Sequence, residues 1–552
     1  MPLELSNVTF TEQDDVVPAS GVEEIVNTGI ANSLAGNDRI IGIKEITIDT
    51  PLQNELGGIL NSSTLNTGDG NDTMTGIINR REIPFVPPDQ DYDYYIFYEN
   101  YYSAYAAGIY NIGSIYTGEG DDRITGINEA VSSFGYDYGI YTEGGTIDTG
   151  DGNDIITGIT QRSIGIQSSN SNINTGDGSD TITGTTSDHS GIYLAGTGGL
   201  DTGKGNDIIT GTASLYGVVN YFDTFLNTGE GNDIITGNST KFGFALANFG
   251  FMDTGAGNDI ITGSNIDEAD GILDDAGVGL LNGGEFDGFM YTGDGNDIIT
   301  GIATATNNSI GLINSDTYTI DTGNGNDIIT GTGNYSGIDN KGTINTGNGE
   351  DSIISQGKLT NYGNVFLEEG NDSITADIDF SNRALENFGF IGTGEGDDTI
   401  TSPGFIYNKG VIETGNGDDS IIVDGGFDDI TGTTYSIHNN GGAINMGDGN
   451  DSIIANEGFE SAENSSGAWF LGEGDDYIKG YGSGDFYGGN GNDTLELTPG
   501  TYTVGIWGEA GESPIFTKGD QLMITSEFEK LKAGGTIYDF TSLTAGQIIV
   551  VA

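Results

Sequence analysis

Apolar residues recur along the chain in three short clusters per repeat, separated by glycine, asparagine and aspartate. The recurring segment is T-G-x-G-N-D-I-I-T-G, and an apolar residue stands two positions after its aspartate, as at Ile156 and Ile209. A second apolar residue stands seven positions before the aspartate, as at Ile147, and a third stands thirteen or fourteen before it, as at Ile338 and Leu385. This spacing predicts three short strands per repeat, each pointing one or two aliphatic side chains inward.

The repeat length determines the predicted architecture. Successive copies are commonly about 26 residues apart and at two steps 21 apart, and units this short bury an apolar face only by stacking. Glycine and β-branched residues at a period other than 3.6 argue against helix. We predict an all-β fold, an elongated parallel β-solenoid of about 17 coils. The predicted domains are an N-terminal leader or cap at 1–30, repeats at 31–497 and a C-terminal cap at 498–552.

The repeats align on one aspartate, which occurs in 17 copies. These residues are Asp38, Asp72, Asp122, Asp154, Asp180, Asp207, Asp233, Asp259, Asp297, Asp327, Asp351, Asp372, Asp398, Asp419, Asp451, Asp476 and Asp493. Stacking would place their carboxylates in a row at the strand spacing of ~4.8 Å, where two like charges repel by about 3.5 kcal/mol at an effective dielectric constant near 20. A solenoid of this sequence therefore needs counterions in order to fold.

The chemistry of the loop favours calcium as that counterion. The second motif glycine is present in all 17 copies, and the first is replaced only at Leu34 and Glu368. Glycines at alternate positions allow positive φ and turn carbonyl oxygens to one side, and carbonyls with carboxylates are the hard oxygen ligands of Ca²⁺. One loop supplies too few ligands, so we expect two stacked loops to share each ion. The alternative is a set of Asx turns without metal.

Overall composition excludes several other classes of function. The chain has 552 residues, with 83 Asp and Glu against 16 Lys and Arg, a formal charge of −67, no Cys and 2 His. This charge argues against nucleic acid as a partner, and the absence of Cys argues against disulfides and against most zinc sites. No apolar stretch is long enough for a membrane span. The N-terminus lacks the pattern of a secretory signal peptide.

The segment G-G-N-G-N-D-T-L at 488–495 is similar at every defined position to the RTX, or hemolysin-type, calcium-binding nonapeptide. In that family the loop binds Ca²⁺ between adjacent coils through the Asp carboxylate and main-chain oxygens, and the resemblance implies this role for the 17 aspartates above. Most copies in this chain have Thr in place of the first Gly, and each coil carries one motif instead of two. The tail around 528–546 also resembles the ends of such proteins, which implies export by a type I exporter that reads a C-terminal signal.

The sequence predicts a secreted calcium-binding protein with a structural or surface-interaction role, located outside the cell or on its surface, and without enzyme activity. Possible partners are a cell-surface polysaccharide or another surface protein. A first alternative is an adhesion or ice-binding module that uses a flat Thr/Asn ladder, formed by Thr67, Thr117, Thr149, Thr175, Thr202, Thr228, Thr254, Thr292 and Thr322 with Asn153, Asn206, Asn232 and Asn258. A second alternative is a polysaccharide-modifying β-solenoid enzyme. His189 and His438 are expected on the surface or in turns.

Insertions are expected at one corner of the coil. The 50-residue step from Asp72 to Asp122 contains residues 77–107, which are rich in tyrosine and hold three prolines. This segment is either a protruding loop that presents aromatic rings or a degenerate coil. Other variable stretches, at 264–286 and 424–436, also follow the T-G end of the motif.

Overall fold

In the computed structural model, the chain forms two compact units. The first comprises residues 1–271 and 277–293, and the second comprises residues 272–276 and 294–552. The described residues are 2–18, 23–46, 56–80, 105–129, 136–266, 277–284, 288–304, 308–379, 381–461, 467–507 and 513–552.

Each coil passes through three sheets. The chain runs along a strand of the first sheet, turns into the second sheet, passes through the repeat loop and leaves along the third sheet. Strands pair in parallel with their equivalents in the neighbouring coils, so that Ile182 pairs with Ile209 and Ile209 pairs with Ile235. The predicted parallel β-solenoid is confirmed, and three strands per coil were predicted correctly.

First-sheet strands of the first unit are Leu3–Glu4, Ile25–Asn27, Leu56–Asn61, Tyr105–Asn111, Tyr136–Glu143, Ile164–Ser169, Ser190–Ala195, Tyr216–Asn220, Gly243–Asn248 and Gly277–Asn282. Those of the second unit are Ile310–Asn314, Ser336–Asn340, Leu359–Asn361, Arg383–Asn387, Phe405–Asn408, Ile437–Asn439 and Phe459–Glu460.

Second-sheet strands of the first unit are Ala31–Asn32, Thr64–Asn66, Ser114–Tyr116, Thr146–Asp148, Asn172–Asn174, Gly198–Asp201, Thr224–Asn227, Phe251–Asp253 and Phe289–Tyr291. Those of the second unit are Thr319–Asp321, Thr343–Asn345, Asn364–Phe366, Phe390–Glu395, Val411–Asn416, Ala443–Asp448, Ala468–Glu473, Gly484–Asn490, Gly500–Trp507, Ser513–Lys518, Gln521–Ser526 and Ile548–Val551.

Third-sheet strands of the first unit are Val16–Val17, Arg39–Ile46, Thr73–Arg80, Arg123–Asn128, Ile155–Thr160, Thr181–Thr186, Ile208–Ala213, Ile234–Ser239 and Ile260–Asn265. Those of the second unit are Ile298–Ala303, Ile328–Thr332, Ser352–Gln356, Ser373–Ala376, Thr399–Ser402, Ser420–Val423, Ser452–Ala455, Tyr477–Lys479, Thr494–Leu497, Lys530–Ala533 and Thr536–Asp539.

The core is a set of aliphatic columns that run along the stack. In one coil the third, first and second sheets contribute Ile209, Val218 and Leu226, all fully buried. Burial of each such side chain stabilises the fold by about 1.5–3 kcal/mol. Ile208, on the opposite face of its strand, is 40% exposed. The predicted strand register is therefore confirmed at this coil.

A buried asparagine ladder closes the corner between the first and second sheets. Asn361 Nδ2 donates to Asn387 Oδ1 of the next coil at 2.9 Å and to the Phe390 carbonyl at 2.9 Å. Asn61 donates to Asn111 in the same way at 2.7 Å. Each of these side-chain amides forms hydrogen bonds inside the protein, which offsets the cost of burying it.

The corner between the third and first sheets accepts the insertions, as expected. Third-sheet strands end at Arg80 and Asn265, and the next first-sheet strands begin at Tyr105 and Gly277. Residues 81–104, the centre of the tyrosine-rich segment, lie outside the described residues. The stretch 424–436 contains a small antiparallel hairpin, Gly426–Asp428 with Thr433–Tyr435.

Both chain ends add to the repeats. Val16–Val17 pairs in parallel with Arg39–Ile46, so a coil precedes the first recognised motif. From residue 500 onward the strands pair mainly antiparallel, as Gly500–Trp507 does with Ser513–Lys518 and with Ile548–Val551. Two short 3-10 helices, Leu5–Asn7 and Phe540–Ser542, lie near the ends. Among the described residues, no helix has the length and apolar character needed to cross a membrane.

Candidate metal centre

The repeat loop joins the second and third sheets and depends on glycine at two positions. Gly150 and Gly152 have φ values of +82° and +152°, and a Cβ on Gly152 would lie 1.9 Å from the Gly120 carbonyl oxygen of the preceding coil. That carbonyl therefore points along the stack into the space between loops. Where the first glycine is replaced, Leu34 and Glu368 still adopt φ of 72° and 74°, so the loop imposes this conformation on any residue.

The predicted aspartates form a continuous hydrogen-bonded ladder within each unit. The backbone N–H of Asp180 donates to Asp207 Oδ1 at 2.8 Å, and the N–H of Asp207 donates to Asp233 Oδ1 at 2.8 Å. In the first unit the same bond joins successive aspartates from Asp38 to Asp259. In the second unit it joins them from Asp297 to Asp493. The structure thus brings the predicted site residues of each unit into one row.

The second oxygen of these carboxylates is buried without a hydrogen bond. Oδ2 has no hydrogen-bond partner in Asp38, Asp72, Asp122, Asp154, Asp180, Asp207, Asp233, Asp327, Asp351, Asp372, Asp398, Asp419, Asp451, Asp476 and Asp493. A buried polar atom without a partner costs about 1–3 kcal/mol, and more when it is charged. Repetition of the same unsatisfied atom in coil after coil indicates a bound group and not a packing defect.

Burial also shifts the protonation of this row. It raises the pKa of Asp154 to about 6, of Asp180 to about 7 and of Asp122 to about 8, from an ordinary value of 3.8. Charges on neighbouring ladder carboxylates raise the pKa of Asp180 further, and the Asp154 N–H, which donates to Asp180 Oδ1 at 2.7 Å, opposes the shift. Without a cation, the ionised row is therefore strongly disfavoured in the fold.

The threonine half of the predicted Thr/Asn surface ladder is wrong, because these threonines are buried. Thr117, Thr149 and Thr228 are each no more than 1% exposed. The hydroxyl of Thr117 donates to the Thr149 carbonyl oxygen at 3.2 Å, and that of Thr228 donates to the Thr254 carbonyl oxygen at 3.3 Å. These two hydroxyls link successive loops inside the protein, and threonines buried in this way cannot meet water, ice or another surface.

The asparagine half of that ladder is exposed and runs in the opposite direction to the aspartate ladder. The N–H of Asn232 donates to Asn206 Oδ1 of the preceding coil at 2.8 Å, whereas the adjacent Asp233 N–H donates forward to Asp259. Asn258 N–H likewise donates back to Asn232 at 2.7 Å. Two consecutive residues thus fix each loop to both of its neighbours.

A further acidic column, absent from the sequence predictions, lies immediately before the loop. It alternates along the stack between carboxylate and amide, through Asp148, Asn174, Asp201, Asn227 and Asp253. Asn227 Nδ2 donates to Asp201 Oδ1 at 2.9 Å, and Asp253 Oδ1 accepts from the Gly255 N–H at 3.0 Å. Alternation keeps like charges two coils apart. In the sequence, this column consists of the residue that precedes each T-G pair.

The two histidines differ in their environments. His189 is exposed, as expected, whereas the surface or turn position expected for His438 is wrong. His438 is 6% exposed and lies in the strand Ile437–Asn439, with Nδ1 3.2 Å from the Tyr435 hydroxyl. Burial lowers the pKa of this imidazole. The rings of Tyr435 in the adjacent hairpin and of Tyr407 in the preceding coil pack against His438, and no sequence motif marked this position.

The donor set matches an oxygen-binding cation. Among the described residues no group of three or more His, Cys, Asp or Glu side chains converges on one point. A bound ion would therefore take backbone carbonyls together with the carboxylates, as Ca²⁺ does. The buried Oδ2 atoms and the glycine carbonyls that face along the stack fit this requirement. Loops of adjacent coils would hold such an ion jointly.

The fold and its loops define a β-solenoid repeat protein with a buried carboxylate row. No protein-family model matches the chain, and no curated protein matches its sequence. Among solved structures, the chain is similar to a hyperactive, Ca2+-dependent, beta-helical antifreeze protein from an Antarctic bacterium. The two share 16% sequence identity with a TM-score of 0.25, over 85% of this chain and 84% of that one. The parallel pairing of strands within this chain itself defines the fold.

Proposed function

We propose that the chain is a calcium-binding repeat protein in which Ca²⁺ ions lie between successive loops and convert the chain into a folded solenoid. The observation that carries this proposal is the row of buried aspartates, each with one oxygen bonded to the neighbouring loop and most with the other oxygen unsatisfied. A divalent oxygen-binding cation would neutralise the charge of the aspartate row and would also give the unsatisfied Oδ2 atoms a partner. Residues such as Asp207 would hold it through Oδ2.

Calcium binding is then coupled to folding. Binding free energy that exists only in the folded state adds to the free energy of unfolding. At the low free calcium of a cytosol the chain would be expanded, and the higher calcium outside the cell would fold it. Because neighbouring loops share ions, folding is expected to be cooperative in calcium, with an apparent Hill coefficient above 1.

A calcium titration tests this proposal. The metal-free protein at about pH 8 is titrated with Ca²⁺ and followed by circular dichroism and hydrodynamic radius. We expect compaction and a gain of β-structure, with Mg²⁺ as the matched control giving a weaker response because it requires tighter octahedral geometry and loses water reluctantly. A compact, β-rich protein in excess chelator would refute calcium-driven folding.

The biological role that we propose is extracellular and non-catalytic. The resemblance of the loop at 488–495 to the RTX nonapeptide supports export through a type I exporter followed by folding outside the cell. A cell-surface polysaccharide or another surface protein is the proposed partner. In a cell that carries the exporter, deletion of residues 500–552 should block export, whereas deletion of residues 1–25 should permit it. Export of the C-terminal truncation would contradict this route.

A further inference from the structure

The aspartate ladder does not end at the last repeat, because a glutamate from the C-terminal strands continues it. The N–H of Asp493 donates to Glu529 Oε2 at 2.8 Å. The N–H of Lys530 donates to the Asp493 carbonyl at 2.9 Å, as the N–H of Thr494 does to the Asp476 carbonyl at 2.8 Å. Both bonds place Glu529 where the next coil would have its aspartate.

In the first unit, Asp15 extends the row by one residue before Asp38, and hydrogen bonds hold its carboxylate. The N–H of Asp15 donates to Asp38 Oδ1 at 2.8 Å, in the ladder pattern. The carboxylate of Asp15 accepts from the Thr11 N–H at 2.7 Å and from the Thr11 hydroxyl at 3.2 Å. This terminal carboxylate is thus satisfied by its own loop and needs no cation.

In the second unit, the last repeat aspartate has a buried oxygen without a partner beside oxygens of the C-terminal segment. Asp493 is fully buried, and its Oδ2 has no hydrogen-bond partner. The Glu527 carbonyl oxygen and Asp493 Oδ2 lie 2.0 Å and 2.8 Å from the point that a Cβ on Gly488 would occupy, so the two oxygens are close together. Glu527 has φ of 59°, a left-handed conformation that is uncommon for this residue type and turns its carbonyl to this side.

We propose that a Ca²⁺ ion binds between the Asp493 loop and residues 527–529, with Asp493 Oδ2, the Glu527 carbonyl oxygen and the Glu529 carboxylate among its ligands. This site rests on the proposed function, since it uses the same ion and the motif residue Asp493, but its other two ligands, from Glu527 and Glu529, are outside the repeat motif. The three oxygen atoms come from different groups, and Asp493 Oδ2 is buried without a hydrogen bond. Carboxylate and carbonyl oxygens are the hard donors that calcium takes.

The consequence is that the C-terminal strands dock in response to calcium. Lys530–Ala533 pairs in parallel with Thr494–Leu497, directly after the proposed site. Without the ion, Glu529 would face the buried carboxylate of Asp493 at the same junction and repel it. The ion would join the two, so the terminal strands would become protected only as calcium rises.

The test compares Glu529→Gln with Asp520→Asn in the full chain. Glutamine at 529 keeps an acceptor for the Asp493 N–H but removes the charged ligand, whereas Asp520→Asn removes one exposed carboxylate of the C-terminal segment that is outside the proposed site. Hydrogen exchange is followed at increasing calcium in peptides covering 530–539 and, as an internal reference, 208–239. For Glu529→Gln we expect the calcium midpoint of the terminal peptide to rise at least tenfold while the reference stays unchanged. Asp520→Asn should match the wild type.

Two results would overturn the inference, and they are distinguishable from failure of the proposed function. If Glu529→Gln leaves the terminal midpoint unchanged while the interior peptides respond to calcium, the interior sites stand and the terminal site does not exist. If terminal and interior midpoints shift together, Glu529 acts on the whole solenoid and not on a separate site. If the wild-type interior peptides ignore calcium, the proposed function itself fails, and the terminal site falls with it.

Discussion

The metal-free protein should become more stable when it is acidified, which is the opposite of acid denaturation. Burial raises the pKa of ladder carboxyls such as Asp154, Asp180 and Asp122 to about 6, 7 and 8. The folded state therefore binds more protons than the unfolded state between about pH 4 and pH 8, and stability falls as pH rises through this range. Below about pH 4, where unfolded carboxyls are also protonated, this contribution is fully present.

The magnitude follows from the pKa values. One pKa unit corresponds to about 1.4 kcal/mol, so the rise at Asp154 from 3.8 to about 6 disfavours the ionised fold by about 3 kcal/mol. A few such carboxylates equal the whole stability of a typical domain, about 5–15 kcal/mol. Ionisation of the row at about pH 8 should therefore unfold the metal-free chain.

Circular dichroism and hydrodynamic radius of calcium-free protein at about pH 5 and pH 8 provide the assay. We expect more β-structure and a smaller radius at pH 5. Exposed carboxylates are not the cause, because those of Asp121 and Asp418, whose pKa is lowered by bonds from Asn153 and Asn450, stay ionised at both pH values. With saturating calcium the difference should disappear. Equal folding at both pH values without calcium would refute the reasoning.

Four substitutions in one region test the geometry, Asp207→Ala by calcium titration and the other three by thermal unfolding in calcium. Asp207→Ala removes the acceptor of the Asp180 N–H and one ligand oxygen, so the calcium midpoint should rise severalfold; an unchanged midpoint would exclude a site there. Ile209→Asp should destabilise by several kcal/mol because the position is fully buried, whereas Ile208→Asp on the exposed face should change stability by less than about 1 kcal/mol. Equal shifts in melting temperature for Ile209→Asp and Ile208→Asp would refute the strand register at this coil. Gly205→Ala should separate adjacent loops, since its Cβ would lie 1.5 Å from a carbonyl oxygen.

Most of the fold could be predicted from the sequence, because the inward positions repeat with every coil. The orientation of the loop threonines was predicted wrongly, although the sequence contained the necessary signal. Thr149 stands two residues after the inward Ile147, and side chains two apart in a strand share a face. The strand Thr146–Asp148 ends one residue earlier, but its alternation continues through Thr149, which is therefore buried.

Asp15 and Glu529 could not be identified from the repeat motif as members of the aspartate ladder, because that motif is defined by its glycines. Asp15 and Glu529 each precede a buried apolar residue by two positions, Val17 and Leu531, as every repeat aspartate does. Neither belongs to a G-x-G loop, so only the structure aligned them with the ladder. The buried position of His438 depends on a hairpin that no repeat contains, and periodicity gives no information about such a local insertion.

The hydrogen bonds of the repeat loops align neighbouring coils but do not neutralise the charge of the ladder carboxylates. At Asn153 and Asp154, consecutive N–H groups donate in opposite directions, to Asp121 of the preceding coil and to Asp180 of the next. These bonds fix the loop spacing, but they use only one oxygen of each ladder carboxylate and do not remove its charge. Because the remaining oxygen is buried, water cannot satisfy it, and protonation or a cation must. The hydrogen bonds thus set the geometry of the stack, and whatever neutralises the row determines whether that stack forms.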